Sequence, residues 1–451
     1  MNVQGPRRIP LLLFAAALLV HGLFALTIST PVDWDPAYYR QVALNIAEGR
    51  GAVTQSLLFY GYLPQQLPFA ADLHWMPLPS RVLVPGMALF DHGDQLTTVV
   101  LAAAWAPLAW ALGRELGGDG VMAGALAVFG GGYARFLSTP DSIALYGLLA
   151  GIAALAIARE RYGWACLAVA AAALTRGDGA LLGACLAAPL VFRRRGWSLA
   201  LGLAGPLACM GWLVRCGMVG GEAWEASRAL VGQSLDYRDF VLGVSSAPTP
   251  VERVVHLGLE LPEVLKLSLI AGAGLLPWPA LWALRRSRPP WVLGLALYAL
   301  VMPLGALILA PGVAESGTVF RSGSALFIGG CALAGVGLER VCAWRGYPRW
   351  LPVCAFAMAS FSLGAFNAHL VPSASWVCPD GESTVFATRP LLCQRPALLL
   401  PEGMPPGRVA ELAERFGVEE AWLTPSDGLG WGSDEPRLVL IDSLSDSSTS
   451  P

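Results

Sequence analysis

Long apolar runs alternate with short polar connections along most of the chain. A helix that spans a bilayer needs about 20 mostly apolar residues. The runs lie near residues 9–29, 95–113, 119–135, 140–158, 163–175, 177–192, 197–215, 264–284, 291–311, 318–339 and 351–370. The pattern predicts a polytopic α-helical membrane domain over residues 1–370, with about eleven transmembrane helices.

Two of these runs are short and meet at a polar break. Residues 163–175 and 177–192 adjoin at the sequence Thr-Arg-Gly-Asp-Gly, which runs from Thr175 to Gly179. Non-helical backbone is tolerated at membrane depth only where it is buried in protein or lines a water-filled cavity. We therefore expect the break to lie inside the bundle or beside a cavity.

The arginines predict the orientation of the bundle, because cytoplasmic loops carry an excess of basic residues. If the N-terminus is cytoplasmic, the inside connections are short and basic. They hold Arg7, Arg8, Arg114, Arg159, Arg161, Arg193, Arg194, Arg195, Arg285, Arg286, Arg288, Arg340, Arg345 and Arg349. The longer, more acidic connections at 30–94, 217–263 and 371–451 then lie outside. The predicted topology is N-in and C-out.

The C-terminal region has a different pattern from the rest of the chain. The segments TVFAT, PALLLP, EEAWLT and PRLVLID predict short strands, and PPGRVAELAERFG predicts a helix that ends at Gly417. We predict a small extracytoplasmic α/β domain over residues 371–442 and a disordered Ser-rich tail over 443–451. Cys378 and Cys393 lie in this region and can pair only if it is extracytoplasmic. The sequence does not give their separation, so the disulfide stays open.

The composition agrees with a membrane-embedded chain and excludes several other classes. Residues are 55% hydrophobic and 14% charged, whereas soluble proteins have about 25% charged residues. The net charge of −2 and the lack of a basic, aromatic-rich patch argue against nucleic acid as a partner. The sequence has no CxxC motif, zinc-type spacing, P-loop or dinucleotide fingerprint.

Two acidic residues follow directly on the first apolar run. Asp33 and Asp35 precede a segment whose apolar residues recur at helical spacing, which predicts an amphipathic helix at the outer interface. Asp35 stands before Pro36, a good N-cap arrangement, so a purely structural role is open for this acid.

A similar arrangement recurs at Thr139-Pro140-Asp141. Thr139 can cap a helix that starts at Pro140, with Asp141 in its first turn, where the helix dipole favours an acid. The predicted topology places this acid on the same outer face as Asp35. Two acids that face one compartment at the bilayer edge indicate a shared site.

These segments together resemble the GT-C superfamily. The stretch from Asp35 to Gly51, Asp-x-x-Tyr-Tyr-x-x-x-Ala-x-Asn-Ile-x-x-Gly-x-Gly, is similar to the first outer loop of these polytopic glycosyltransferases. The superfamily uses polyprenyl-phosphate sugars and includes protein mannosyltransferases and the lipid A aminoarabinose transferase. The segments HWMPLP (74–79), TPDS (139–142), LTRGDG (174–179) and VFRS (319–322) also fit.

The resemblance implies an inverting transfer of a sugar from a polyprenyl phosphate to an acceptor protein, lipid or glycan. The enzyme would lie in a bacterial cytoplasmic (inner) membrane with its active face outside. The acid of the first loop acts on the acceptor in this family, and it maps onto Asp35. Many members have Asp-Glu here, whereas this chain has Pro36, and Asp33 is a candidate for the second carboxylate. Asp141 matches a second acid that some members carry in the next outer loop.

A phosphate donor requires cations at the outer interface, and the candidates are Arg321, Arg176 and Lys266. Snorkelling or contact with lipid headgroups is the alternative for each of them. An ionisable group within a spanning segment is a functional candidate by default, which favours Arg321.

Candidate substrate-binding residues are His74, Trp75, Tyr38 and Tyr39, which would contact the sugar. For the aromatic residues, interface anchoring is the alternative, and His74 can equally be structural. The sequence identifies no cofactor. If a divalent metal is present, its candidate ligands are Asp35, Asp141 and His74.

Two other functions remain open. A flippase for lipid-linked sugar would have charged residues near the midplane and two related halves, and the sequence shows no internal repeat. A non-catalytic assembly subunit is the other alternative, for which Pro36 in place of the usual acid is the best support.

Overall fold

The structure of this chain is a computed structural model, and most of the helical part is described. The described residues are 8–28, 34–54, 56–57, 68–193, 196–230, 289–309, 318–370, 397–401, 420–424 and 437–440, with isolated positions between 249 and 262 and at 411 and 414.

Apolar helices make up almost all of the described chain. In chain order they are α1 (Arg8–Leu26), α2 (Trp34–Ala47), α3 (Leu78–Leu89), α4 (Gly93–Ala103), α5 (Trp105–Glu115), α6 (Val121–Val128), α7 (Ser142–Ala158), α8 (Tyr162–Thr175), α9 (Gly179–Phe192), α10 (Ser198–Leu230), α11 (Pro290–Leu309), α12 (Val319–Arg345) and α13 (Trp350–Leu370). Among the described residues, four stretches are long and apolar enough to span a membrane: Arg8–Leu26, Gly93–Glu115, Ser198–Gly220 and Val319–Arg345. The chain is thus a mostly helical, integral membrane protein, as predicted.

The helices lie close to the predicted runs, with several differences. The predicted run 119–135 forms only α6, because Gly130 adopts the left-handed φ of +71° and a short 3₁₀ turn follows. The sequence analysis missed α3, which contains Pro85 and lies in the connection 30–94 that was predicted to be outside. The predicted run 264–284 lies outside the described residues.

Small residues allow the helices of the bundle to pack closely. A Cβ added at Gly147 would come within 2.4 Å of the Trp105 ring, and one added at Gly335 within 2.5 Å of the Ala123 backbone. Trp105 is fully buried and donates a hydrogen bond to the Ala144 carbonyl. Such small residues at helix contacts are typical of membrane bundles, where close van der Waals packing drives association.

In the described part of the chain, two small sheets accompany the helices. Strand β1 (Val53–Thr54) pairs antiparallel with β3 (Phe69–Ala70). Strand β2 (Ser56–Leu57) begins a second sheet of order β2-β4-β5-β6, with β4 (Ala397–Pro401), β5 (Glu420–Thr424) and β6 (Arg437–Leu440). The first two pairings of this sheet are parallel and the third is antiparallel.

Three of these strands fall where the C-terminal sequence predicts them. The strand predicted at TVFAT, most of the helix predicted to end at Gly417, and the cysteines Cys378 and Cys393 lie outside the described residues. The pairing of β2 with β4 was not predicted, and it ties the first connection to the C-terminal segment.

The charged residues separate to the two ends of the packed helices α7 and α12. At one end of this pair lie Asp141, Arg321 and their partners. At the other end Arg159 pairs with Glu115, and Arg349 pairs with Asp119. The candidate site residues therefore lie at the end opposite to these basic connections.

Candidate functional site

Asp35 lies on a helix that is anchored by its buried face. In α2 the side chains of Ala37, Tyr38, Tyr39 and Val42 are at most 3% exposed. Asp35 lies in the first turn, inside the helix, and its side chain is 20% exposed. The helix therefore presents the carboxylate to the interior of the site while keeping it open to solvent.

Arg321 joins the two acids that the sequence placed on one face. It lies in the first turn of α12 and is 8% exposed. Its Nε is 3.3 Å from Oδ2 of Asp141 and 3.6 Å from Oδ2 of Asp35. The structure thus brings together two candidate acids and one candidate cation from three separate helices.

Asp141 also caps α7, which corrects the predicted start of that helix. Its Oδ1 accepts hydrogen bonds from the Ile143 amide (3.2 Å) and the Ser142 hydroxyl (2.9 Å). Thr139, the predicted cap, instead has an extended backbone, and its hydroxyl donates to the Phe136 carbonyl. One carboxylate oxygen thus stabilises the helix end while the other faces Arg321.

Trp75 contacts the carboxylate of Asp35 from the connection between α2 and α3. Its Nε1 donates to Oδ1 of Asp35 at 2.9 Å. The indole stacks on Tyr38 with ring centroids 4.1 Å apart, and His74 meets it edge-on at 5.0 Å. Trp75 is half-buried and His74 is exposed, so both can contact a ligand at the mouth of the site.

The two tyrosines of α2, Tyr38 and Tyr39, are buried beneath the site residues. Burial raises the pKa of Tyr39, and the carboxylates of Asp35 and Asp141 raise it further. The Tyr39 hydroxyl therefore stays protonated and able to donate. The Tyr38 hydroxyl accepts a hydrogen bond from the Asp72 amide at 2.6 Å. This hydrogen bond fixes the Tyr38 ring, and the Trp75 indole stacks on that ring.

Arg176 lies in the break between α8 and α9, close to the acid pair. Its Nε contacts Oδ1 of Asp178 at 3.1 Å, and its Nη1 is 3.5 Å from the Ser142 hydroxyl. Its Nη2 donates to the Ser322 hydroxyl at 3.0 Å and to the Thr318 carbonyl at 3.3 Å. The break predicted between the two short runs is therefore present as a polar, partly buried junction between α8 and α9.

Asp72 is a buried residue that the sequence analysis missed. It has a left-handed φ of +62° and is fully buried. Its carboxylate pairs with Arg81 of α3, and its carbonyl accepts from Trp212 (2.8 Å) and Arg215 (3.4 Å) of α10. The residue therefore anchors the turn that carries Trp75. The sequence signal was weak, since a lone acid before LHWMP resembles any exposed loop acid.

The structure does not describe all of the candidate site residues. Asp33 and Lys266 lie outside the described residues. Within the described part of the chain, no group of three or more His, Cys, Asp or Glu side chains could hold a metal ion. Arg321 lies between Asp35 and Asp141, so this pair is arranged for a cation that the chain itself provides.

The fold is similar to that of a polytopic membrane protein of known structure. ArnT from Cupriavidus metallidurans, in its crystal structure bound to undecaprenyl phosphate, superposes with a TM-score of 0.56 over 92% of each chain at 15% sequence identity. Its apo state covers 80% of this chain and 66% of its own, with a TM-score of 0.44 and 18% identity. No protein-family model matches the chain, and no curated protein matches it significantly. The resemblance to the GT-C superfamily is thus confirmed at the level of the fold.

Proposed function

We propose that this chain is an inverting glycosyltransferase that moves a sugar from a polyprenyl-phosphate donor to an acceptor outside a bacterial cytoplasmic membrane. The observation that carries the proposal is the convergence of Asp35, Arg321 and Asp141 at one end of an ArnT-like bundle. The ArnT of that structure is bound to undecaprenyl phosphate. A polyprenyl phosphate here would meet a buried guanidinium, the group that recognises phosphate best.

Asp35 is the residue best placed to act as the general base. Asp141 has no exposed side-chain surface and caps a helix, whereas Asp35 is 20% exposed. The acceptor hydroxyl would give its proton to Asp35 while its oxygen bonds to the anomeric carbon of the sugar. The bond from that carbon to the phosphate oxygen breaks, and the electron pair leaves on the phosphate. A single displacement of this kind inverts the anomeric configuration, and a positioned base contributes about 10²–10⁴-fold.

Arg321 would bind the donor phosphate and stabilise the charge that develops on it. Asp141 would hold Arg321 in position through their 3.3 Å contact. Asp33 stays a candidate for assisting Asp35, and Lys266 a candidate for a second cation. Trp75 and His74 would contact the sugar, and the Tyr39 hydroxyl would donate a hydrogen bond within the site.

The separation of charge in the bundle supports an outer location for the site. The end opposite to the site carries Arg159 and Arg349, and basic connections mark the cytoplasmic side. This argues for a site on the outer face, with N-in and C-out topology. Because β2 of the first connection joins β4, the sheet of strands β4, β5 and β6 would shape entry of the acceptor.

The test is an assay of donor consumption with purified protein in detergent. A panel of undecaprenyl-phosphate sugars of defined anomeric configuration is supplied with and without EDTA, and release of free undecaprenyl phosphate is followed. The proposal predicts release from one donor class and a product of inverted configuration by NMR. Glu48→Gln, at the exposed end of α2, is the control variant and should retain full activity. Tight lipid binding without release from any donor, or transport of lipid-linked sugar in proteoliposomes, would contradict the proposal.

A further inference from the structure

We propose that Arg176 is a positioning residue that fixes the N-terminus of α7 against that of α12, so that Asp141 and Arg321 stay in register. The inference rests on the proposed function and deepens it. It replaces the hypothesis from sequence that Arg176 binds the donor phosphate.

The contacts of Arg176 join the two helix ends that carry the acid–arginine pair. Ser142 is the neighbour of Asp141 and Ser322 is the neighbour of Arg321, and the Arg176 guanidinium reaches both hydroxyls. It also donates to the carbonyl of Thr318, just before α12. One planar side chain thus spans both helices, which a single ammonium group could not do.

The charge of Arg176 is balanced by the chain itself. Helix N-termini carry partial positive charge, so a cation between two of them needs a compensating acid. Asp178 supplies it: one oxygen contacts Arg176 and the other accepts from the Tyr298 hydroxyl at 2.5 Å. The Tyr298 hydroxyl also lies 3.0 Å from that of Tyr146, so the network extends into α11 and α7.

These contacts leave Arg176 poorly suited to a second anion. Its Nε, Nη1 and Nη2 all have protein partners, and three of these partners are neutral hydroxyl or carbonyl oxygens. Arg321 differs, because its Nε lies beside two carboxylates that a phosphate can replace as counter-ions. The two arginines therefore have different roles: Arg321 binds the phosphate, and Arg176 fixes the N-termini of α7 and α12 relative to each other.

The experiment separates the two roles by measuring turnover and affinity in the same variants. Arg176→Lys keeps the charge but loses the planar fork. The positioning role predicts that kcat falls about 10- to 100-fold, since small misplacements of reacting groups cost rates of this order. The Kd for undecaprenyl phosphate should change less than about threefold, well below the tenfold step that 1.4 kcal/mol represents.

Ser322→Ala provides a milder variant that removes only one contact of Arg176. It should also lower kcat, but by only about 3- to 10-fold, because the other contacts of Arg176 remain and limit the effect of losing one hydrogen bond. Ser324→Ala is the matched control on the same helix. Its hydroxyl is buried and has no hydrogen-bond partner among the described residues, so kcat should not change.

An unchanged kcat in both Arg176→Lys and Ser322→Ala would overturn the inference. A large rise in the Kd of Arg176→Gln, equal to that of Arg321→Gln, would also overturn it and restore the phosphate-binding role. Failure of the proposed function gives a different result, namely no turnover by the wild-type protein with any donor. In that case the affinity measurements alone still decide between the two roles of Arg176.

Discussion

The Nε of Arg321 lies 3.3 Å from Oδ2 of Asp141, and both side chains are at most 9% exposed. The arginine in the first turn of α12 is thus held by the residue that caps α7. Asp35 approaches the same nitrogen at 3.6 Å. One cation is therefore shared by two carboxylates. An incoming phosphate that binds Arg321 must replace at least one of these carboxylate contacts.

Arg321→Gln should weaken the binding of undecaprenyl phosphate. Hydrogen bonds to charged groups contribute about 1.5–3 kcal/mol, so the Kd should rise about 10- to 100-fold. The measurement is a titration of the detergent-solubilised protein with the lipid. Arg321→Lys should show a smaller loss, because lysine keeps the positive charge. It should not reach wild-type affinity, because one ammonium group cannot contact the phosphate and both carboxylates in the same geometry.

Loss of Arg321 leaves the buried Asp141 without its counter-ion, which can itself destabilise the protein. The double variant R321Q/D141N removes both charges and should restore thermal stability without restoring lipid affinity. Arg345→Gln, at the exposed far end of α12, is the matched control and should bind the lipid like the wild type. Wild-type affinity in Arg321→Gln would contradict the assignment.

Trp75→Phe should lower turnover without loss of the fold. Phenylalanine keeps an aromatic ring against Tyr38 but has no donor for Oδ1 of Asp35. The carboxylate then loses one of the contacts that orient it, and we expect kcat to fall about tenfold, the cost of one hydrogen bond to a charged group. Steady-state kinetics would measure this effect. Trp344→Phe, an exposed tryptophan at the far end of α12, should have no effect. Equal losses in the two variants would indicate a general effect on the protein.

Asp72 should give the stability of the protein a specific pH dependence. Burial raises the pKa of its carboxyl above the ordinary value of 3.8, although Arg81 and Arg215 act in the opposite direction. A raised pKa means that the folded state holds the proton more tightly. The contribution of this group to stability is therefore full below about pH 3.8 and is lost as the pH rises through the raised pKa.

Asp72→Asn cannot ionise and should remove this dependence. The free energy of unfolding of the variant, relative to wild type, should shift in favour of the variant as the pH rises from acid to neutral. Asp72→Ala should be less stable than Asp72→Asn by about 1–2 kcal/mol, because asparagine tolerates the left-handed backbone and alanine does not. Thermal unfolding across pH would measure both effects. If the difference in unfolding free energy between the Asp72→Asn variant and wild type does not change with pH, the predicted pH dependence is refuted.

The helices and the acids of the site could be predicted from the sequence because their signals are local. Apolar runs predict α7 and α12. Asp35 and Asp141 could be singled out because each is an acid at the predicted start of a helix. The break at Arg176 was visible because two apolar runs were too short to span a membrane separately.

Other features depend on contacts between distant parts of the chain. Strand β2 pairs with β4 across more than three hundred residues, and two-residue strands leave no period to detect. The roles of Asp72, Asp178 and Tyr298 come from partners on other helices. Helix α3 was missed because Pro79 and Pro85 interrupt the usual helical signal, although a proline near the start of a helix is well tolerated.

The central claim is that Asp35 is the base of a transfer reaction whose donor phosphate is bound by Arg321. The most direct measurement compares wild type and Asp35→Asn for two quantities: the rate of undecaprenyl phosphate release from a sugar donor, and the Kd for undecaprenyl phosphate. We predict that release falls about 10²–10⁴-fold. The Kd should stay the same or decrease, because the carboxylate that competes for Arg321 is gone. Release at the wild-type rate would contradict the account, and Asp35 would then be a structural residue of α2.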